Sequence, residues 1–210
     1  MDFPRDQLVA FLIAVSFAAG LNLYATVATL GLLARFGVVT LPGELGVLTD
    51  WWVIGISAAL FLVEFVADKI PIFDLIWNAL HTFIRIPAAA LLSYGATSAL
   101  DPQWRFAAAA IGGAAALAAH GGKTAARAAV TPSPEPFSNF ALSVAEDGFT
   151  IFVTWFATRH PFIAAGIVLL KIAVIVILIR VVIRALGALF RPRTSGAAPP
   201  GIAYAARHSK

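Results

Sequence analysis

Long apolar runs separated by short polar breaks set the pattern of this chain. Leu8–Phe36 is the first run, longer than the roughly 20 residues that span a bilayer, with Gly20 and Asn22 near its middle. Two arrangements fit it: one long tilted helix, or two half-helices meeting at Gly20–Asn22. Asn22, Thr26 and Thr29 recur at helical spacing, so one face suits other helices or a solute. Gly37–Asp50 reads as a loop with Pro42 and Gly43 as turn signals, and it carries Glu44 and Asp50 but no base. Trp51–Ala67 is the second span, anchored by Trp51 and Trp52 at its start. Phe73–Leu92 is the third, interrupted by Pro87, with Asp74, Trp77, His81 and Arg85 about one turn apart. Ser93–Asp101 is a short connection. Trp104–Val130 is the fourth, rich in the Ala and Gly that let helices approach closely. His120, Lys123 and Arg127 line one face near its end. Pro132, Pro134 and Pro136 force an extended segment over Thr131–Ser138. A helix then starts at Asn139 with Ser138 as its cap, carrying Ser143, Glu146 and Asp147 beside the apolar run Phe149–Phe156. Phe162–Phe190 is the last span, with Lys171 inside it and Arg180 and Arg184 toward its end.

This pattern predicts an all-α polytopic membrane protein of about six transmembrane helices, some of them broken. No segment keeps the period-two alternation of a membrane β-barrel. Residues 1–7 form an N-terminal cytoplasmic end, 8–190 a single transmembrane domain, and 191–210 a basic, disordered tail. Two halves, 8–98 and 104–190, show faint similarity: AAGLNLYATVAT lies on AAHGGKTAARAA, and VADKIPIFDLIW on VAEDGFTIFVTW. Three spans per half would make inverted repeats, a plan that transporters use to build a midplane site. A chance match of alanines is the rival reading.

Composition sharpens the class. Hydrophobic residues make up 60% of the chain and charged ones 12%, where a soluble domain has about a quarter charged. The mean hydropathy is +0.87. There is no cysteine, so disulfides and Cys-ligated metals are out. The net charge of +4 is spread over loops and the C-terminal end. That distribution fits anionic lipid headgroups on the cytoplasmic side and a cytoplasmic C-terminus, and no nucleic acid is expected. MDFPRDQ lacks the basic start and the small-residue cleavage site of a signal peptide.

The candidate chemistry gathers in EFVADKIPIFDLIWNALH. Glu64, Asp68, Lys69, Asp74 and His81 follow one another around Pro71, directly after a span. Glu64 and Asp68, four apart, share a helix face, and Pro71 ends or kinks the helix. Ionisable groups in or beside hydrocarbon are costly, so they pair or line a wet cavity. GGKT is no phosphate loop: the required glycine five before Gly122 is Leu117, and no strand precedes it. Lys171 is either a site residue or a snorkelling or paired lysine.

The runs GLNLYATVATLGLLARFG, LPGELGVL and FVADKIPIFDLIWNALHTFIRIPAAALL, with GGKTAARAAVTPSPEPFSNFALSVAED in the second half, resemble the domain-of-unknown-function family four-one-two-six over nearly all of 8–190. The resemblance implies a bacterial integral membrane protein, hence the inner membrane, and implies no activity. Asn22, Asp68, Lys69, Pro71, Asp74, Trp77 and His81 match its first motif. Lys123, Arg127, Ser133, Pro134, Pro136, Asn139, Glu146 and Asp147 match its second.

Three functions are weighed. The first is a transporter or channel-like protein moving a small or amphiphilic, including anionic, solute through a charged central site. Its candidate residues are Asn22, Glu64, Asp68, Lys69, Asp74, His81, Lys123, Arg127, Asn139, Glu146 and Asp147. The second is a structural or assembly subunit whose buried charges, Asp68 with Lys123 for example, only fix the packing. The third, an intramembrane enzyme built on His81, His120 and His160, lacks any catalytic signature and is set aside. No metal or other cofactor is expected. The Ala/Gly-rich fourth span and the apolar last span offer faces for a homodimer.

Overall fold

The structure is a computed structural model. It describes the backbone of residues 4–69, 71–130 and 136–189, and the side chains among these except at 71–75, 127–130, 136–139, 186, 188 and 189. The described residues are helical apart from turns: α1 Arg5–Leu21, α2 Leu23–Arg35, a 3₁₀ helix Gly43–Thr49, α3 Trp51–Ala67, α4 Pro71–Ala96, α5 Pro102–Val130, α6 Pro136–Arg159 and α7 Pro161–Leu189. Two compact units divide the chain, Met1–Val176 and Ile177–Lys210. In the second, the described helical turns expose Ile177, Val181 and Ile183. The expected disordered tail and the stretch 131–135 lie outside the described residues.

Several boundaries follow from proline chemistry. Pro71, Pro102, Pro136 and Pro161 each stand at the first position of a helix, where a missing N–H costs nothing and the fixed φ already suits the helix. This corrects the start expected at Asn139: α6 begins three residues earlier, and Ser138 lies inside its first turn. Pro87 does not interrupt α4. Its ring leaves the carbonyl of exposed Phe83 without a helical donor, and packing of α4 against α1 and α5 carries the helix past it. Ser93 is likewise helical, because α4 runs on to Ala96. The loop before α3 holds the 3₁₀ helix, entered by Gly43 at φ 58°.

Of the two arrangements open for Leu8–Phe36, the break is the one observed. Asn22 adopts extended backbone and serves both helices. Its N–H still bonds the Ala18 carbonyl at 2.9 Å, closing α1, and its side-chain oxygen accepts from Ala25 N–H at 2.9 Å, capping α2.

Contacts fix the directions. Arg5, Leu8 and Leu12 of α1 share a cleft with Thr97, Trp104 and Ile111. Ser16 meets Ser93 at 2.9 Å beside Gly112. Gly20 lies against Ala116 and Ala119. Helices α1 and α5 therefore run parallel, with α4 antiparallel to both. Helix α2 heads back toward the end where α1 began. Its Gly31 packs on Leu48 and Ile54, and Gly43 in the same 3₁₀ turn packs on Gly95 and Ala96. Inverted three-helix halves would set α1 and α5 antiparallel, so this arrangement gives that plan no support.

A Cβ at Gly20 would fall on the Ala116 backbone. Gly20→Val is therefore expected to force α1 off α5 and cost roughly 1–3 kcal/mol. Thermal melts in detergent would show this, and an unchanged melt would mean the two helices do not meet there.

Polarity is inside out. Arg85, Glu64, Asp68 and Lys123 are buried, while Trp52 and Phe83 are 83% and 82% exposed, in company with Leu62, Leu91 and Leu170. Water would penalise such an exterior. Two helices, Phe140–Arg159 and Pro161–Ala185, are long and apolar enough to cross a membrane. The 3₁₀ helix and α3 together pass the same test but bend by 72°. These features suggest a membrane protein.

Candidate functional site

The buried charges converge where the α1–α2 break meets the end of α3. Helix α3 places Glu64 and Asp68 one turn apart, as their spacing predicts, and both are fully buried. Helix α5 brings Lys123 to them. Its Nζ lies 3.0 Å from Asp68 Oδ2, 3.7 Å from Glu64 Oε1 and 3.7 Å from Glu146 Oε2 of α6. The same Nζ is 3.5 Å from the Leu21 carbonyl. That carbonyl sits in the last turn of α1, where orphan acceptors and the negative end of the helix dipole attract a cation. Asn22 Nδ2 donates to Asp147 Oδ1 at 2.9 Å, tying the break to α6. The break, α3, α5 and α6 thus meet on one lysine.

A second layer stands beside it. Arg85 of α4, wholly buried, pairs with Glu64. Its Nη1 also lies 3.3 Å from His120 Nδ1. Arginine can only donate, so Nδ1 is the acceptor, and His120 Nε2 donates to Thr82 Oγ1 at 2.7 Å. The Thr82 hydroxyl passes its own proton to the Asn78 carbonyl at 3.0 Å. His81 Nδ1 donates to the Trp77 carbonyl at 2.7 Å, so in the neutral ring Nε2 accepts from Tyr24 O–H at 3.0 Å. Trp77 stacks on His81 with centroids 4.5 Å apart.

Of the eleven candidates, Asn22, Glu64, Asp68, Lys123, Glu146 and Asp147 come together. His81 joins through Tyr24 of α2, a few residues past the break. Lys69, at the turn after α3, donates to the Phe65 carbonyl and lies 3.0 Å from the Phe65 ring centre. The side chains of Asp74, Arg127 and Asn139 lie outside the described residues. Lys171, half-buried, sets its Nζ 3.8 Å from the Phe149 ring centre and 5.7 Å from that of Phe17. Sequence reasoning left Arg85 and His120 off the site. An arginine between Ile84 and Ile86, at the head of the apolar run IRIPAAALL, is the signal for the first, because a lone cation inside an apolar helix needs a partner. Among the described residues no group of His, Asp and Glu is arranged to hold a metal ion.

Fold and site together define a class: an all-helical protein with an apolar exterior, a charged interior and helices able to span a membrane. Within that class, the profile of the domain-of-unknown-function family DUF4126 matches residues 9–181, and the chain belongs to this family. No curated protein matches the chain. No solved structure matches it either.

Proposed function

We propose that this is a membrane transport protein and that the cluster on Lys123 is its central site. The observation that carries the reading is the burial of Glu64, Asp68, Glu146 and Asp147 around one lysine, at a helix break, inside an apolar exterior. Buried charge is expensive in a membrane and marks ion and solute pathways, and broken helices supply backbone groups there. Among the described side chains these four carboxylates outnumber the buried cations Lys123 and Arg85. Glu64 Oε2 and Asp147 Oδ2 have no hydrogen-bond partner among the described residues. These two open carboxylate oxygens favour a proton or a small cation over the anion considered from the sequence.

In this reading α1 and α2 enter and leave by one face of the membrane, turning at Asn22, while α3 to α7 cross it. That replaces six equivalent spans with five and a re-entrant pair. With the Lys69 turn cytoplasmic, the α4–α5 connection is outside. The N-terminal end packs beside that connection, so it lies outside as well, not in the cytoplasm. The architectural reading keeps one observation of its own: Lys123 and Asp68 are closed on each other without exposure.

Proteoliposomes holding a pH-sensitive dye separate the two. Under a valinomycin-set potassium potential, the wild type is expected to pass protons or, in a parallel sodium assay, sodium. Asp147→Asn keeps the acceptor for Asn22 and removes the charge, so it is expected to cut that flux about tenfold or more while folding normally. Wild-type flux equal to empty vesicles for both ions would sink the transport reading and leave the architectural one.

A further inference from the structure

We propose that the cleft between the first turns of α1 and α5 and the last turn of α4 binds one acyl chain of an acidic phospholipid, with its phosphate held at Arg5. The cleft has a volume of 340 Å³, near the lower end of the roughly 300–1,000 Å³ typical of ligand sites. It suits a single chain and not a whole lipid. Leu8, Leu12 and Ile111 line it. Thr97 lines it too, but its hydroxyl is taken up by the Ser93 and Tyr94 carbonyls at 2.9 and 3.0 Å. Apart from Arg5 at one end, the wall is therefore largely apolar. Along α5 it runs from Trp104 to Ile111, about 10 Å at ~1.5 Å per residue.

Two features give the occupant an anionic head. Among the described residues Arg5 is the one charged residue lining the cleft; Asp6 follows it in the chain and Asp101 stands before α5, and neither lines it. Helices α1 and α5 run parallel, so both N-termini are at this end. Pro4 at the α1 N-cap supplies no side-chain cap, so among the described residues the first α1 amides keep donor capacity for an anion beside Asp6 of the same turn. A guanidinium adds a bidentate grip on phosphate.

One feature says where the occupant comes from. Val9, Trp104 and Ile111 are 49%, 59% and 45% exposed at the rim, so the cleft opens on the apolar exterior. This step rests on the reading that the exterior meets lipid. Trp104 then stands where interfacial aromatics sit, level with headgroups. The site shares no residue with the Lys123 cluster.

Native mass spectrometry of the full chain released from nanodiscs tests this. With phosphatidylglycerol and phosphatidylcholine in equal amounts, the wild type is expected to retain one phosphatidylglycerol. Arg5→Gln is expected to lower the retained fraction roughly tenfold, as for one lost charge-assisted hydrogen bond, and Arg5→Lys to lower it less. Ala108→Phe fills the cleft and is expected to abolish retention. If that variant fails to fold, Val9→Trp blocks the rim from the exposed side. Equal retention of both lipids, or retention indifferent to Arg5 and to the blocking variants, overturns the site. Added laurate displacing the lipid in an Arg5-dependent way overturns the phospholipid as occupant and puts a free fatty acid there. If the protein leaves the membrane without detergent, the membrane reading itself has failed. A detergent-requiring protein with no retained lipid fails this inference alone, and flux through the Lys123 site is unaffected by Arg5→Gln in either case.

Discussion

Lys123→Met is expected to be among the most damaging single substitutions in this protein, costing about 3–5 kcal/mol, the scale for breaking a buried ion pair by removing one partner. The reason is the number of groups that depend on one ammonium. Asp68 at 3.0 Å and Glu64 and Glu146 at 3.7 Å all face it; Glu64 and Asp68 are wholly buried and Glu146 is nearly so. Without the lysine, three carboxylates repel one another in a low-dielectric interior. The α1 carbonyl of Leu21 loses its cation too. Asp68→Asn alone is expected to be milder, because Lys123 keeps two acids. The Lys123→Met/Asp68→Asn double variant should then recover part of the loss, with a coupling of roughly 1–3 kcal/mol. Denaturant titration of the four proteins in one detergent measures the cycle. A Lys123→Met protein as stable as the wild type would mean that the acids are not gathered on this lysine.

Much of this arrangement can be read from the chain, and the rest cannot for definite reasons. Helix α3 has the predicted bounds, because two tryptophans open it and Pro71 excludes its continuation. Glu64, Asp68, Lys123, Glu146 and Asp147 stand out as charges in oily surroundings, and their four-residue or adjacent spacing puts them on usable faces. The sequence offers Asp68 with Lys123 as an example of a pair, and the structure shows it at 3.0 Å, but nothing in the sequence singles that pair out from the others. By sequence alone Lys123 could pair with any of the acids in or beside the apolar runs. Its choice depends on α5 passing the α1 break at a depth set by Gly20 lying on Ala116.

The direction of α2 is hidden for a related reason. An asparagine that caps a helix is compatible with any angle between that helix and the one before it. Packing of α2 on the 3₁₀ helix, α3 and α6, with Gly31 against Leu48 and Ile54, turns α2 back. In the transport reading proposed above, that reversal makes α1 and α2 a re-entrant pair, and the parallel course of α1 and α5 lends inverted halves no support. The faint similarity of AAGLNLYATVAT to AAHGGKTAARAA then pairs a broken helix end with a continuous one, α5, running in the same direction.

Arg85 shows the same dependence on pairing across the fold, and it yields the second large effect. It joins Glu64, His120 and, through His120, Thr82. Arg85→Met is expected to cost about 3–5 kcal/mol, since Glu64 would keep only the longer contact to Lys123 and His120 Nδ1 would lose its donor. Arg85→Lys is expected to fall well short of rescue. A single ammonium cannot serve a carboxylate and an imidazole with the spread of a guanidinium fork. Adding Glu64→Gln to Arg85→Met removes the stranded charge and should restore more than half of the lost stability, while Glu64→Gln alone leaves Arg85 buried against His120 only and stays damaging. This asymmetry distinguishes a pair that must be matched from a packing defect, in which every change at 85 or 64 would add to the damage. If the double variant is less stable than Arg85→Met, the pair is not what holds α3 to α4. The transport site would then have to be drawn around Lys123 without its second layer.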